Sequence, residues 1–163
     1  MYTKFFKRFL DIVLSGMAIV VLSPLLLLLA VLVRLDSKGP IFFKQKRVGK
    51  GKTHFQILKF RSMYADTPHD MPTHMLGNAQ SHITRVGKVL RVTSLDELPQ
   101  LFNIFAGQMS IVGPRPALWN QFDLIEERDK YGANDLVPGL TGYAQINGRD
   151  EIPIQQKALL IIK

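Results

Sequence analysis

The sequence predicts a mainly α protein with a small β-hairpin, in which an N-terminal re-entrant membrane helix-break-helix precedes a compact membrane-associated domain. Three observations carry this. Ile12 to Val33 is a run of 22 residues without a charge, interrupted by Pro24. Two short apolar runs flank the turn residues Gly49-Lys50-Gly51-Lys52. Further on, Leu98, Leu101, Phe102 and Phe105 recur at helical spacing. With 163 residues the chain has the length of a single folded unit, and 47% hydrophobic against 21% charged residues excludes an intrinsically disordered one. Cysteine is absent, which excludes disulfides, thiolate metal sites and a cysteine nucleophile.

The first element is the apolar run. A straight helix of its length spans about 33 Å, enough for a hydrocarbon core of about 30 Å. It is too long for the core of a cleaved signal peptide, and Arg34, Leu35 and Asp36 follow it where small residues would be needed. Pro24 has no N–H and clashes with the preceding turn, so it divides the run into arms of about 16 and 14 Å. Basic residues flank both sides: Lys4, Lys7 and Arg8 before it, Arg34, Lys38 and Lys44 after it. A spanning helix would leave one basic flank on the wrong side of the membrane. A re-entrant hairpin broken at Ser23 and Pro24 returns both flanks to one side, with the Ser23 hydroxyl available to freed backbone groups. A kinked spanning anchor is the alternative. Phe5, Phe6 and Phe9 interleave with the cations, a pattern suited to the headgroup boundary of an anionic bilayer. The boundary therefore falls between residues 1–36, the membrane hairpin, and residues 37–163.

Gly39-Pro40 breaks the chain, and Ile41–Gln45 and Phe55–Phe60 read as hairpin strands. Tyr64–His82 reads as a loop or short irregular helices, Ile83–Val92 as a helix. The next helix should bury Leu98, Leu101, Phe102 and Phe105 and end at Gly107. Leu118–Tyr131 should be helical, with Phe122 and Ile125 inward and Glu126 to Lys130 outward. Val137–Arg149 reads as a structured loop.

The net charge of +8 calls for an anionic partner. Because the cations border the apolar run, that partner is lipid or phosphorylated substrate, not nucleic acid. Gly51-Lys52-Thr53 fails as a phosphate loop, since Lys46 stands where the motif needs its first glycine. His69, His74 and His82 match no metal-ligand spacing, and no Asp-x-Asp pair is present.

Ser94-Leu95-Asp96-Glu97 has the form of a capping box before the apolar helical run. Two carboxylates there would offset the helix dipole. The same place can also hold a divalent cation together with a diphosphate, and an ionised carboxylate can attack phosphorus. In Gly113-Pro114-Arg115-Pro116, two prolines stiffen the backbone around Arg115, which suits rigid phosphate binding as well as a solvated turn. Lys59, Arg61, Arg91 and Arg149 are further cations able to converge on the carboxylates.

These elements, in this order, resemble the bacterial sugar transferase family, the small monotopic phosphoglycosyl transferases. The resemblance rests on the Ser23-Pro24 break, Lys59-Phe60-Arg61-Ser62-Met63, the run Ser94 to Asn103, Met109 to Pro116, and Pro138 to Arg149. It implies transfer of a sugar 1-phosphate from a UDP-sugar to undecaprenyl phosphate, with UMP released, at the start of glycoconjugate assembly. It implies Asp96 as nucleophile, forming a phosphosugar-aspartyl intermediate, and Glu97 with Asp96 as holders of Mg²⁺. Arg115 would contact phosphate or uridine, with Lys59, Arg61, Arg91 and Arg149 as further substrate-binding cations. The location implied is the cytoplasmic face of the bacterial inner membrane. Family members continue with a lysine-rich helix and an Asp-x-x-Tyr stretch, so residues 37–163 are expected to be a catalytic domain with an incomplete C-terminus. The competing reading is a non-catalytic membrane module that binds anionic lipid or nucleotide sugar. The choice of sugar is not legible in these residues.

Overall fold

The computed structural model describes residues 2–68 and 79–146. The chain opens with one long helix, α1 (Tyr2–Asp36), 35 residues or about 52 Å if straight. It is the one helix among the described residues long and apolar enough to cross a membrane. A hairpin follows, β1 (Phe42–Val48) and β2 (His54–Phe60), antiparallel and in register from Phe42 opposite Phe60 to Val48 opposite His54. Its turn is a short 3-10 segment, Lys50–Lys52, in which Gly51 and Lys52 both take positive φ. Helix α2 (Arg85–Thr93), a 3-10 turn at Leu95–Glu97 and helix α3 (Gln100–Phe105) come next. Then come β3 (Ser110–Val112), α4 (Phe122–Asp129), β4 (Gly139–Thr141) and α5 (Tyr143–Ile146).

The helical character and the hairpin agree with expectation; the helix-break-helix does not. α1 runs unbroken through Ser23 and Pro24. Pro24 deprives the Val20 carbonyl of its helical N–H partner, and the Ser23 hydroxyl donates to that same carbonyl at 2.8 Å. A local substitute bond thus keeps the segment helical where proline alone predicts two helices.

Along its inner stripe α1 serves two apolar clusters. Ala18, Ile19 and Leu22 pack on Phe55, Ile57, Leu101, Ile104 and Met109. Leu25, Leu26, Leu29, Ala30 and Val33 join Phe60 and Leu90 in the second. The outer face stays apolar and bare: Phe5 is 80% exposed, Val20 and Val21 72% each, Leu27 69%. An uncovered apolar face of this length suits a lipid environment.

Three further readings need correction. Phe102 and Phe105 are exposed, and Ile104 takes the buried place beside Leu101. The helical segment is turned so that Asp96, Gln100 and Asn103 face inward, and Asn103 bonds the hairpin edge. In α4, Phe122 is exposed while Arg128 is buried. Asn134 donates to the Ile125 carbonyl and to Asp129 Oδ1, folding the following turn back over that side of the helix. The supposed loop after Val137 contains β4, which pairs in parallel with β3. This pairing needs glycine: a Cβ on Gly113 or Gly139 would collide with the other segment's backbone.

Candidate active site

Asp96 and Glu97 lie in the 3-10 turn between α2 and α3. Ser94 does not form the expected capping box. It takes a left-handed conformation (φ 58°) as the C-cap of α2, just after Thr93, and makes no side-chain cap bond to the following turn. A cap residue needs extended backbone, and one residue separating the two helical segments leaves no room for it. The pair is held by other means.

Asn103, 2% exposed, sits seven positions after Asp96 on the same side of the helical segment. Its side chain takes the Leu58 N–H on Oδ1 at 2.9 Å and donates Nδ2–H to the Gln56 carbonyl at 2.8 Å. It therefore binds the free edge of β2 as a neighbouring strand would, and fixes the carboxylate turn against the strand that carries Lys59. Lys59 Nζ then reaches Glu97 Oε1 at 2.7 Å, and Arg115 approaches the same oxygen at 3.7 Å.

Arg115 is placed from the opposite side. The β3 strand that leads into its turn is gripped by the start of α1. Buried Asp11 accepts from the Ser110 hydroxyl at 2.8 Å and from the Ile111 N–H at 3.0 Å. Lys7 donates to the Val112 carbonyl, and Arg8 to the carbonyls of Ile104 and Phe105 at the end of α3. At the other end of α1, Asp36 accepts from the Val86 N–H at 3.0 Å, next to the start of α2.

The electrostatics are uneven. Burial pushes the Asp96 carboxyl above the usual carboxylate range, with Glu97 adding to the rise. Lys59, Arg91 and its own backbone N–H pull it back. Burial likewise lowers the Lys59 ammonium below the ordinary lysine value, against the pull of Glu97. A carboxylate held less solvated than in water, with cations close by, is a stronger nucleophile toward an anionic phosphorus centre.

Asp96, Glu97, Lys59, Arg91 and Arg115 are thus brought together. Arg61 is not: it is buried at the end of α1, donating to the Val33 and Ser37 carbonyls and the Ser37 hydroxyl. Arg149 lies outside the described residues, as do His69 and His74. Among the described residues no group of three metal-ligating side chains occurs. Lys59 and Arg115 also border a small recess of about 10 Å³, whose other walls are Arg47, Ile57, Gln100, Pro116 and Gly139. Sequence reasoning passed over Arg47 and Gln100. The signals were present: Arg47 shares a hairpin face with Ile57 and Lys59, and Gln100 follows Asp96 by one helical turn.

The family model for Bacterial sugar transferase matches residues 2–161. Undecaprenyl-phosphate glucose phosphotransferase of Komagataeibacter xylinus is 43% identical over 148 residues, 87% of this chain and 28% of that protein. The UDP-N-acetylgalactosamine-undecaprenyl-phosphate N-acetylgalactosaminephosphotransferase of Aeromonas hydrophila is 44% identical over 146 residues, covering 87% and 34%. The exopolysaccharide production protein PSS of Rhizobium leguminosarum bv. phaseoli is 42% identical over 147 residues, covering 87% and 74%. The chain spans about a third of the first two of these relatives and about three quarters of the third. With a family model matched from Tyr2 to Ile161 and the carboxylate pair set among cations, this chain belongs to the bacterial sugar transferase family.

Proposed function

We propose that the chain transfers a sugar 1-phosphate from a UDP-sugar to undecaprenyl phosphate at the cytoplasmic face of the bacterial inner membrane. One observation carries the reading: Asp96 is partly desolvated beside Glu97, with Lys59 and Arg115 converging on the pair. An Asp96 oxygen attacks the sugar-side phosphorus, and the bond from that phosphorus to the UMP oxygen breaks. UMP leaves with the bonding pair. An oxygen of the lipid phosphate then attacks the phosphosugar-aspartyl ester, the aspartyl oxygen departs, and the carboxylate is restored. Two displacements suit a site that takes a polar donor from water and a lipid acceptor from the bilayer in turn.

Mg²⁺ fits these residues. Magnesium is commonly held by one or two carboxylates and completed by substrate phosphates and water, and Glu97 with Asp96 supplies that protein share. When bound, it neutralises diphosphate charge and eases departure of UMP. Lys59 holds Glu97 in place, and Arg91 and Arg115 supply positive charge toward the diphosphate.

The membrane association follows from α1. Its start is fastened to β3 and α3 and its end to the beginning of α2, so both ends attach to one folded body. A helix so fastened at both ends does not carry its flanks to opposite sides of a bilayer. It stays on one side of the bilayer, with Ser23 and Pro24 on its exposed, lipid-facing stretch. This supports a monotopic placement; the re-entrant path expected from the sequence would further require α1 to bend at Ser23 and Pro24.

Purified protein with Mg²⁺ and a panel of UDP-sugars, without lipid acceptor, releases UMP in an amount stoichiometric with enzyme. Absence of UMP release across the panel contradicts the reading and favours a binding module.

A further inference from the structure

Arg61 stands apart from the carboxylates, yet it is a charged residue only 4% exposed. Its Nη2 donates to the carbonyls of Val33 and Ser37, at 3.3 and 2.5 Å, and to the Ser37 hydroxyl at 2.8 Å. A cation at this place meets the negative end of the α1 dipole. The guanidinium packs against Gly39, where φ is 127° and a Cβ would collide with Nη1. Nε and Nη1 are buried, and among the described residues neither finds an acceptor. For stability alone this is a poor arrangement, because a charge is desolvated while two of its donor atoms go unbonded.

What the arrangement achieves is attachment. Arg61 follows Lys59 by two residues, and its own N–H donates to the Ile41 carbonyl at 2.9 Å, closing the open end of the hairpin. Phe60, between them, is 1% exposed and packs with Leu29 and Val33 of α1 and Leu90 of α2. Close packing leaves little slack between the end of α1 and the strand position of Lys59. The same end of α1 holds the other half of the site. Asp36 accepts the Val86 N–H at 3.0 Å in the first turn of α2, and α2 leads through Ser94 into the turn that bears Asp96 and Glu97. Lys59 and Glu97, which meet at 2.7 Å, are thus the tips of two arms that both start from residues 33–37.

We infer that Arg61 is a positioning residue: by pinning β2 to the last turn of α1, it sets where Lys59 stands against Glu97. Its side-chain hydrogen bonds all go to α1 and Ser37, so it acts on the site through Lys59. Its effect on rate rests on the reaction proposed above; its effect on the Lys59–Glu97 contact does not.

The test uses the full chain in nanodiscs. Arg61→Met removes the donors and keeps the length of the stem, Arg61→Lys keeps a cation able to reach the same carbonyls, and Ser37→Ala removes one acceptor from the helix side. In protein carrying isotope-labelled lysine, the Lys59 Cε signal is identified by its loss in Lys59→Met. At fixed pH that signal moves in Arg61→Met, moves less in Ser37→Ala and returns toward the parent position in Arg61→Lys. Arg61→Met lowers kcat for UMP release about tenfold with KM little changed, and Arg61→Lys restores most of the loss. In a Lys59→Met background the same Arg61→Met change costs less than about twofold, because the residue it positions is gone. An equal fold loss in both backgrounds makes Arg61 a purely structural residue and overturns the assignment. So does a Lys59 signal that stays in place in Arg61→Met and Ser37→Ala. Should Arg61→Met fail to fold, Ser37→Ala decides: its Lys59 signal moves or the assignment falls. A parent protein that releases no UMP from any UDP-sugar removes the transfer reading, and the Lys59 signal still decides the role of Arg61.

Discussion

At the scale of single residues, Asp96 shows a conflict between function and stability. Its carboxyl is raised above the usual range mainly by burial, so folding binds a proton between the unfolded and folded values. Stability contributed by the neutral form is lost as pH rises through the folded value, and the ionised form at neutral pH is a cost to the fold. Asp96→Asn therefore abolishes UMP release while melting at a higher temperature at pH 7, and the gain shrinks on acidification. Thermal unfolding of both proteins across pH checks the sign. The same shifts shape the pH profile of activity. The acidic limb lies above an ordinary aspartate, whose reference value is 3.8, and the alkaline limb lies below 10.5, the reference for lysine, because burial lowers Lys59. An initial-rate profile with limbs at the two reference values contradicts this.

At the scale of elements, the site depends on joints that attach α1 and α3 to the strands. Asp11→Ala leaves the Ser110 hydroxyl and Ile111 N–H without their acceptor and costs about 3 kcal/mol, by the magnitudes for buried hydrogen bonds to charged groups. Because β3 leads to Arg115, activity falls further than the lost stability explains. Assays well below the melting temperature separate the two effects. These joints also mark what the sequence made legible. The hairpin was readable because its apolar runs flank a glycine-lysine turn, a local signal. The face of α3 was misread because Phe102 and Phe105 follow helical periodicity, yet the inward side is set by Asn103 finding the edge of β2 across 45 residues of chain. The parallel pairing of β3 and β4 lay hidden for the same reason: each strand has three residues, and the contact between Gly113 and Gly139 is tertiary. Of the site, the carboxylates and Arg115 were singled out by a capping pattern that the fold does not realise and by the flanking prolines, and only the family resemblance gave them roles. Arg61 was drawn in by its charge alone, and its partners at the end of α1 could not be seen without the fold.

At the scale of the whole molecule, a basic body carries a long bare apolar helix whose two ends return to it. Cysteines introduced at Thr3 and Lys38 react with an impermeant probe from the cytoplasmic side alone, and labelling from opposite sides establishes a spanning helix instead. Under the proposed reaction, the same arrangement would let a water-soluble donor and a lipid acceptor reach one carboxylate pair. The most direct measurement is mass spectrometry of the protein mixed with its UDP-sugar and Mg²⁺ and quenched before any lipid phosphate is added. The account predicts a sugar phosphate attached to the peptide bearing Asp96, removed on addition of undecaprenyl phosphate. Product lipid formed at full rate with that peptide never modified contradicts it.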